Sequence, residues 1–425
     1  MICRNGKQAQ RGSVLMVTLF MVGLLGFFVF AYLYLVRTQR SFVARSQAWN
    51  AAMAVAEAGV EEALAQLNPG APASSINRSA NGWGSAVNGI YGPISRTLAN
   101  NNGSYTVVYT TDTYPTIYST GTVTVASIPA TLTRVVRVTT SDAGLFKAGL
   151  ATKYNLDLKG NNVETDSFNS TLGTLSNNGQ YDPTKTSTNG DLASIAGIVN
   201  VGNADINGSV LLGPGASETQ LKNGTVTGGI TNDFNVEFPD VILPSGTPLA
   251  AAPLIVPLVT NSVSYDYAFF ISGYYSIADL KANIYVAPGV NVNLLLTGDA
   301  TADSIRVGSG GTNTSGSLTI YMDGPTFTLT GTDIVDSGNA LNFSYYGTTN
   351  NTTVKLGGNG TFTGTVYAPE ADFTMGGGGT TPYDFVGAGV VKSATLNGHF
   401  RFHYDENLTR GGPKSGYVAT SWTEL

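Results

Sequence analysis

Twenty-four consecutive residues without a charge, Ser13 to Val36 (SVLMVTLFMVGLLGFFVFAYLYLV), constrain this chain more than any other stretch in it. Such a run has no polar face to offer water. Coiled as a helix, it is long enough to cross a bilayer with its backbone groups satisfied internally. The helical pattern continues where the charges begin. Arg37, Arg40 and Arg45 appear, and apolar residues then recur at helical spacing: Phe42, Trp49, Met53, Ala56, Val60, Leu64 and Leu67. No proline falls between Met1 and Asn68, and Asn68-Pro69-Gly70 stops the pattern. The spacing predicts one helix over 13–67, roughly 80 Å long, transmembrane over 13–36 and packed on protein beyond.

Arg4, Lys7 and Arg11 precede the apolar run. That asymmetry predicts a single pass through the inner membrane, N-terminus cytoplasmic, with the bulk of the chain periplasmic or extracellular. An ordinary secretory signal has a shorter apolar core and a cleavage site after it. A plain anchor fits the length, and so does a prepilin-type leader, cut on the cytoplasmic side so that the helix is kept. The single cysteine, Cys3, lies ahead of the run, so no intramolecular disulfide can form.

The rest of the chain has a different texture. Only 12% of residues are charged and glycine reaches 52, a balance that suits strands and turns more than helical bundles. A net charge of −6 with no basic tract excludes a nucleic-acid partner. Residues 68–100 read as a loop. Alternating β-branched and aromatic runs at 104–110, 116–126 and 130–140 predict strands, so 68–142 forms a small antiparallel sheet on the helix. Over 143–410, short strand-like runs are punctuated by Gly, Asn and Asp. Those beginning at 291, 318, 341, 362 and 385 are separated by 27, 23, 21 and 23 residues. That spacing suits the coils of a parallel β-helix, each burying its apolar face on the next. A β-sandwich with irregular hairpins is the alternative.

Pro239, Pro244, Pro248, Pro253 and Pro257 predict an extended crossing over the surface rather than an interior strand. Tyr265 to Ile284 is rich in aromatics, expected as a cap or packing cluster more than a ligand platform, with a short helix at 276–282. Residues 411–425 read as a C-terminal tail.

Sites for chemistry are sparse. His399 and His403 share a face if 398–404 is a strand, about 13 Å apart, with Arg401 between them; that is too far to share an ion with Asp405. The strand is expected to face solvent. Asp299, Asp303, Asp323, Asp333 and Asp336 are too scattered for a calcium loop or a glycosidase pair. The expectation is no enzyme, no cofactor and no metal.

The text RGSVLMVTLFMVGLLGFF, followed by AWNAAMAVAEAGVEEAL, resembles the N-terminal segment of the PilX-type minor pilins of type IV pili. The resemblance rests on Arg11-Gly12, the unbroken apolar helix, and Ala56-Glu57-Ala58-Gly59 followed by Glu61 and Glu62. It implies a leader over 1–12 cut between Gly12 and Ser13 by a prepilin peptidase. It implies an assembly helix carrying Val17, Trp49, Glu57, Gly59 and Glu61. Major pilins usually have glutamate at the fifth mature position, here Val17, which points away from the repeating subunit. A second stretch, from Gly360-Thr361-Phe362 through Leu396-Asn397-Gly398-His399-Phe400-Arg401-Phe402-His403, is similar to the end of the β-helical domain of large PilX-like surface proteins. Together these imply an α+β pilin-like module followed by an all-β domain, assembling with other pilins and minor pilins and displaying a surface for a glycan or cell ligand. The alternatives are a membrane-anchored structural protein outside any filament, or an anchored β-helical carbohydrate-active enzyme.

Overall fold

The computed structural model describes residues 11–68, 78, 80–99, 103–125, 130–160, 163–218, 223–244, 250–251, 258–260, 262–310, 314–336, 338–358, 360–376, 383–411 and 414–425. Cys3, Pro248, Pro253 and Pro257 lie outside the described residues. Two compact units emerge. One comprises Met1–Ser141 with Tyr417–Leu425, the other Asp142–Gly416.

In the first unit, helix α1 runs Arg11–Leu67 without a break. It is followed by strands β1 (Ile90–Thr97), β2 (Gly103–Thr110), β3 (Thr116–Val125) and β4 (Ala130–Gly144), and completed by β5, Lys414–Glu424. The sheet order is the chain order. The helix buries Ala48, Ala52, Val55, Ala56, Val60, Ala63 and Leu67 against the sheet. This face differs from the expected stripe: Phe42 is 66% exposed and Trp49 46%. The reason is closeness. A Cβ on Gly121 would sit 2.2 Å from the Ala52 carbonyl oxygen, and one on Gly59 would sit 2.3 Å from Ser119 Oγ. Helix and sheet meet nearly backbone to backbone, so small side chains occupy the seam and large ones are turned outward.

Two further readings change. The stretch expected as loop holds the edge strand β1, whose register with β2 shifts between Tyr91 and Ile94 at Gly92-Pro93. An edge strand tolerates such a proline. The stretch expected as a tail is β5. The Asn68 amide donates to the Tyr417 carbonyl and accepts from the Tyr417 N–H, each at 2.6 Å. At the far end Arg134 grips Glu424 through both carboxylate oxygens. The segment is polar and short, and it becomes ordered structure because β4 offers it an open edge.

The second unit is built from many short strands. The ladders of its main sheet are parallel, and that sheet holds 24 strands among the described residues and is open. One row of paired residues runs Tyr275, Leu294, Ile320, Tyr345, Val366, Gly389, Leu150, Leu192, Val210, Ile230. From Leu294 through Ile320, Tyr345 and Val366 to Gly389 the steps are 26, 25, 21 and 23 residues, close to the spacing seen in the sequence. Strands such as Ser317–Met322 and Phe343–Gly347 bury alternate residues, and Leu294, Ile320 and Leu150 line a common core. Three phenylalanines stack in it, Phe362 on Phe385 at 4.5 Å and Phe385 on Phe402 at 4.3 Å.

The order of strands in the row is not the order in the chain. Leu150–Thr152 pairs on one side with Leu192–Ser194 and on the other with Tyr383–Asn397. The chain therefore enters mid-stack and winds outward as far as Ile230–Thr231. It then crosses back and winds in again from Ala250–Ala251 to Phe400–Asp405. The crossing begins with Phe234 to Pro244. Phe234 and Phe238 lie buried on Ala151, Ala193, Ala388, Val390 and Tyr367, and the Tyr367 hydroxyl donates to the Pro239 carbonyl at 2.7 Å. This described part of the proline-rich segment has neither helix nor strand structure and packs on the outer face of the ladders.

No helix forms at 276–282. Gly273–Ile277 and Leu280–Lys281 are strands instead, the first paired in parallel with Asn291–Leu296. In the same aromatic stretch Tyr265 and Phe269 are buried while Phe270 and Ile271 are exposed.

Candidate functional site

Two regions stand out, one in each unit. The first is the apolar part of α1. From Val14 to Val43 the large side chains project without cover; Val17 is 57% exposed and Phe20 70%. By length and composition this is a helix able to cross a membrane. Gly12 and Ser13 are in its first turn.

Beyond it, the residues expected to serve assembly divide into two sets. Gly59 faces inward, taken up by the close approach to β3. Glu57 and Glu61 face outward and are exposed. Trp49 is exposed on one side and carries the Arg134 guanidinium 4.9 Å from its ring centre on the other. Glu62, one residue beyond Glu61, is the carboxylate that the structure uses: Arg96 donates to it at 2.8 Å and the Tyr105 hydroxyl at 2.5 Å. Burial pushes Glu62 up, but the Arg96 and Tyr105 hydrogen bonds outweigh it and hold the carboxyl below its usual range. Burial and the same carboxylate push the Tyr105 hydroxyl up to about 12.

The second region lies on the outer face of the parallel ladders. Asp166, His403, Val386 and Thr363 occupy one row. The expected solvent-facing strand is corrected here. His403 is only 2% exposed, whereas His399 and Arg401 are exposed. What covers His403 is the long excursion between Glu164–Phe168 and Leu192–Ser194. Tyr181 from that excursion stacks on the imidazole at 3.7 Å, and its hydroxyl donates to Asp166 Oδ2 at 2.8 Å. Asp166 Oδ1 lies 2.6 Å from His403 Nδ1. Nothing in the local sequence announces this contact, because Tyr181 sits in a polar, turn-rich stretch and His403 is more than 200 residues away.

Acidic groups cluster nearby. Asp405 is fully buried; burial raises its carboxyl above the usual range, against the Ser170 and Asn407 N–H groups that donate to it. Glu406 accepts from Ser167 Oγ at 2.7 Å and from Asn189 at 2.8 Å. Asp191 is also raised, by burial first. Among the described residues no group of three or more His, Cys, Asp or Glu has the geometry for a metal ion.

Where the Tyr181 cover ends, the same face opens into a cavity of about 250 Å³. Its floor is Thr361, Thr363 and Val386, and its walls are Gly179 to Tyr181 and Gly338 to Ala340. The walls are tied together, since the Asn339 amide donates to the Gly179 carbonyl at 3.3 Å.

A family model described as a domain of unknown function (DUF7305) matches residues 277–410. No curated protein matches the chain. Among solved structures, the competence-associated pilin ComZ from Thermus thermophilus aligns over 87% of this chain and 96% of that one, with 13% identity and a TM-score of 0.31.

Proposed function

We propose that this chain is a non-enzymatic, pilin-like minor subunit of a type IV pilus or related secretion filament. It lodges in the inner membrane, N-terminus cytoplasmic, until α1 is drawn into a filament alongside the helices of other pilins and minor pilins. The observation that carries this reading is the split character of α1. One face of its second half is buried by the chain's own sheet, whereas its first half, uncharged and more apolar, is left largely exposed by the described residues. An uncovered apolar helix is stable only in lipid or against other helices.

The parallel ladders of Asp142–Gly416 are read as a β-helix, a rigid module displayed for adhesion or for pilus biogenesis. The strand order supports display. The module leaves the sheet after β4 and returns as β5, its immediate neighbour, so it is an insertion in the chain of the first unit. Val17, apolar where major pilins usually have an acid, fits a subunit present in few copies.

The test is N-terminal mass spectrometry of the chain purified from cells with and without a prepilin peptidase. A mature chain starting at Ser13 only when the peptidase is present, and recovered in sheared filaments, is the expected result. An intact Met1 in both cells would leave a plain membrane anchor and overturn the filament reading.

A further inference from the structure

We infer that the cavity between Gly179–Tyr181 and Gly338–Ala340 is a binding site for a single neutral sugar ring. The inference rests on the reading of Asp142–Gly416 as a displayed, non-enzymatic module, and it names the ligand class that module would hold. Three observations lead to it.

The first is chemistry. The described lining carries no charged side chain: it is Phe168, Gly179, Gln180, Tyr181, Gly338, Asn339, Ala340, Thr361, Thr363 and Val386. A phosphate, carboxylate or ammonium ligand would find no counter-charge on the described lining. What the lining offers a ligand is the Gln180 amide and the Thr361 hydroxyl, both on exposed side chains, beside aromatic and aliphatic surface. A pyranose has the matching duality, with hydroxyls at its rim and C–H groups on its faces. Binding sites commonly join an apolar surface to a few placed polar groups in this way.

The second is size. At about 250 Å³ the cavity falls below the roughly 300–1,000 Å³ of sites for drug-sized ligands. It suits one ring, the terminal residue of a glycan, and not an extended oligosaccharide.

The third is rigidity. Tyr181 is fixed from behind by its stacking on His403 and by its hydrogen bond to Asp166. The opposite wall is fixed by Asn339, which donates to Gly179 O and whose Oδ1 accepts from the Leu341 N–H at 2.9 Å. The floor lies on the parallel ladders, where Thr363 pairs with Val386. A site already in its bound shape loses little ordering entropy on binding, which favours a small ligand with few contacts. This also gives the Asp166–His403 pair a part without catalysis: it positions the wall.

Saturation-transfer NMR on the full chain, held in a detergent without a sugar headgroup, tests the assignment. The probes are methyl glycosides of glucose, galactose, mannose and N-acetylglucosamine, with sialic acid as the anionic comparison. Transfer is expected to at least one neutral pyranoside and not to sialic acid. Thr361→Val and Gln180→Ala are each expected to weaken it about 5–10-fold, the loss of one hydrogen bond. Both keep the backbone, and an unchanged circular dichroism spectrum and melting temperature verify the fold. Absence of transfer from every neutral sugar, transfer to sialic acid alone, or binding undiminished in both folded variants would overturn the site. The mature N-terminus is read on the same sample, so failure of the sugar site and failure of the filament reading are scored separately.

Discussion

Gly121 sets how closely α1 can approach the sheet. Its missing side chain lets the Ala52 carbonyl come within 2.2 Å of where a Cβ would be. Replacing it by valine forces helix and strand apart along a seam made of alanines. Gly121→Val is expected to destabilise the first unit by about 3 kcal/mol, visible as an early transition in thermal unfolding. Glu62 and Tyr105 give this unit a pH signature. Glu62 has a lowered folded value, so its stabilisation is present above the unfolded value of 4.5 and is lost as pH falls through the folded one. Tyr105 is raised to about 12 from 10.0, so its contribution is complete below pH 10 and is lost as pH rises toward 12. Unfolding of the Tyr105→Phe variant, followed against pH, should lack that part of the alkaline loss; an alkaline limb identical to the parent's would show that Tyr105 does not titrate as described.

At the scale of elements, two connections decide the architecture. Strand β5 is held at one end by Asn68 and at the other by Arg134. Asn68→Ala removes two hydrogen bonds to the Tyr417 backbone and is expected to cost about 1–2 kcal/mol, with faster amide exchange in β5 than in β2 or β3. If exchange in β5 matches the parent, the strand is held by its ladder alone. The crossing segment is the second connection. Tyr367→Phe deletes the bond to the Pro239 carbonyl and should cost about 1 kcal/mol, while limited proteolysis within 234–244 becomes faster. Both elements take their order from a surface that residues remote in sequence supply.

For the whole molecule, the insertion topology has a direct consequence. β4 and β5 are neighbours in the sheet, and within the second unit Gly144 lies against Thr409, where a Cβ would meet the carbonyl oxygen at 2.1 Å. The two ends of the inserted module are thus close in space. Replacing 145–412 by a short Gly/Ser linker is expected to leave a chain that still folds its five-stranded sheet and still enters the membrane. A chain that is degraded or unfolded after this replacement would show that the sheet depends on the module. Removing Tyr417–Leu425 instead leaves β4 with an open edge, an aggregation-prone state, and is expected to lower soluble recovery of the detergent-extracted chain.

The sequence by itself determined whatever depends on a local period. The charge-free run and the helical spacing after it required one long helix, because no other local structure hides a backbone in lipid. Alternation marked β2, β3 and β4, and the spacing over 291–385 marked parallel repetition, because each short strand must hide its apolar face on the next. Pro239 and Pro244 marked a stretch outside the ladders, since a ladder interior has no place for them. Tertiary structure decided the rest. The face of α1 that is buried was set by Gly121 and Ser119 on the opposing strand, so Phe42 and Trp49, apolar as they are, stay outside. The C-terminal residues became a strand only because β4 had an empty edge 270 residues earlier in the chain. His403 is buried only because Tyr181, more than 200 residues before it, lies across it. In each case the deciding partner is remote in sequence, and a pattern read over a dozen residues carries no information about which distant surface will be there to meet it.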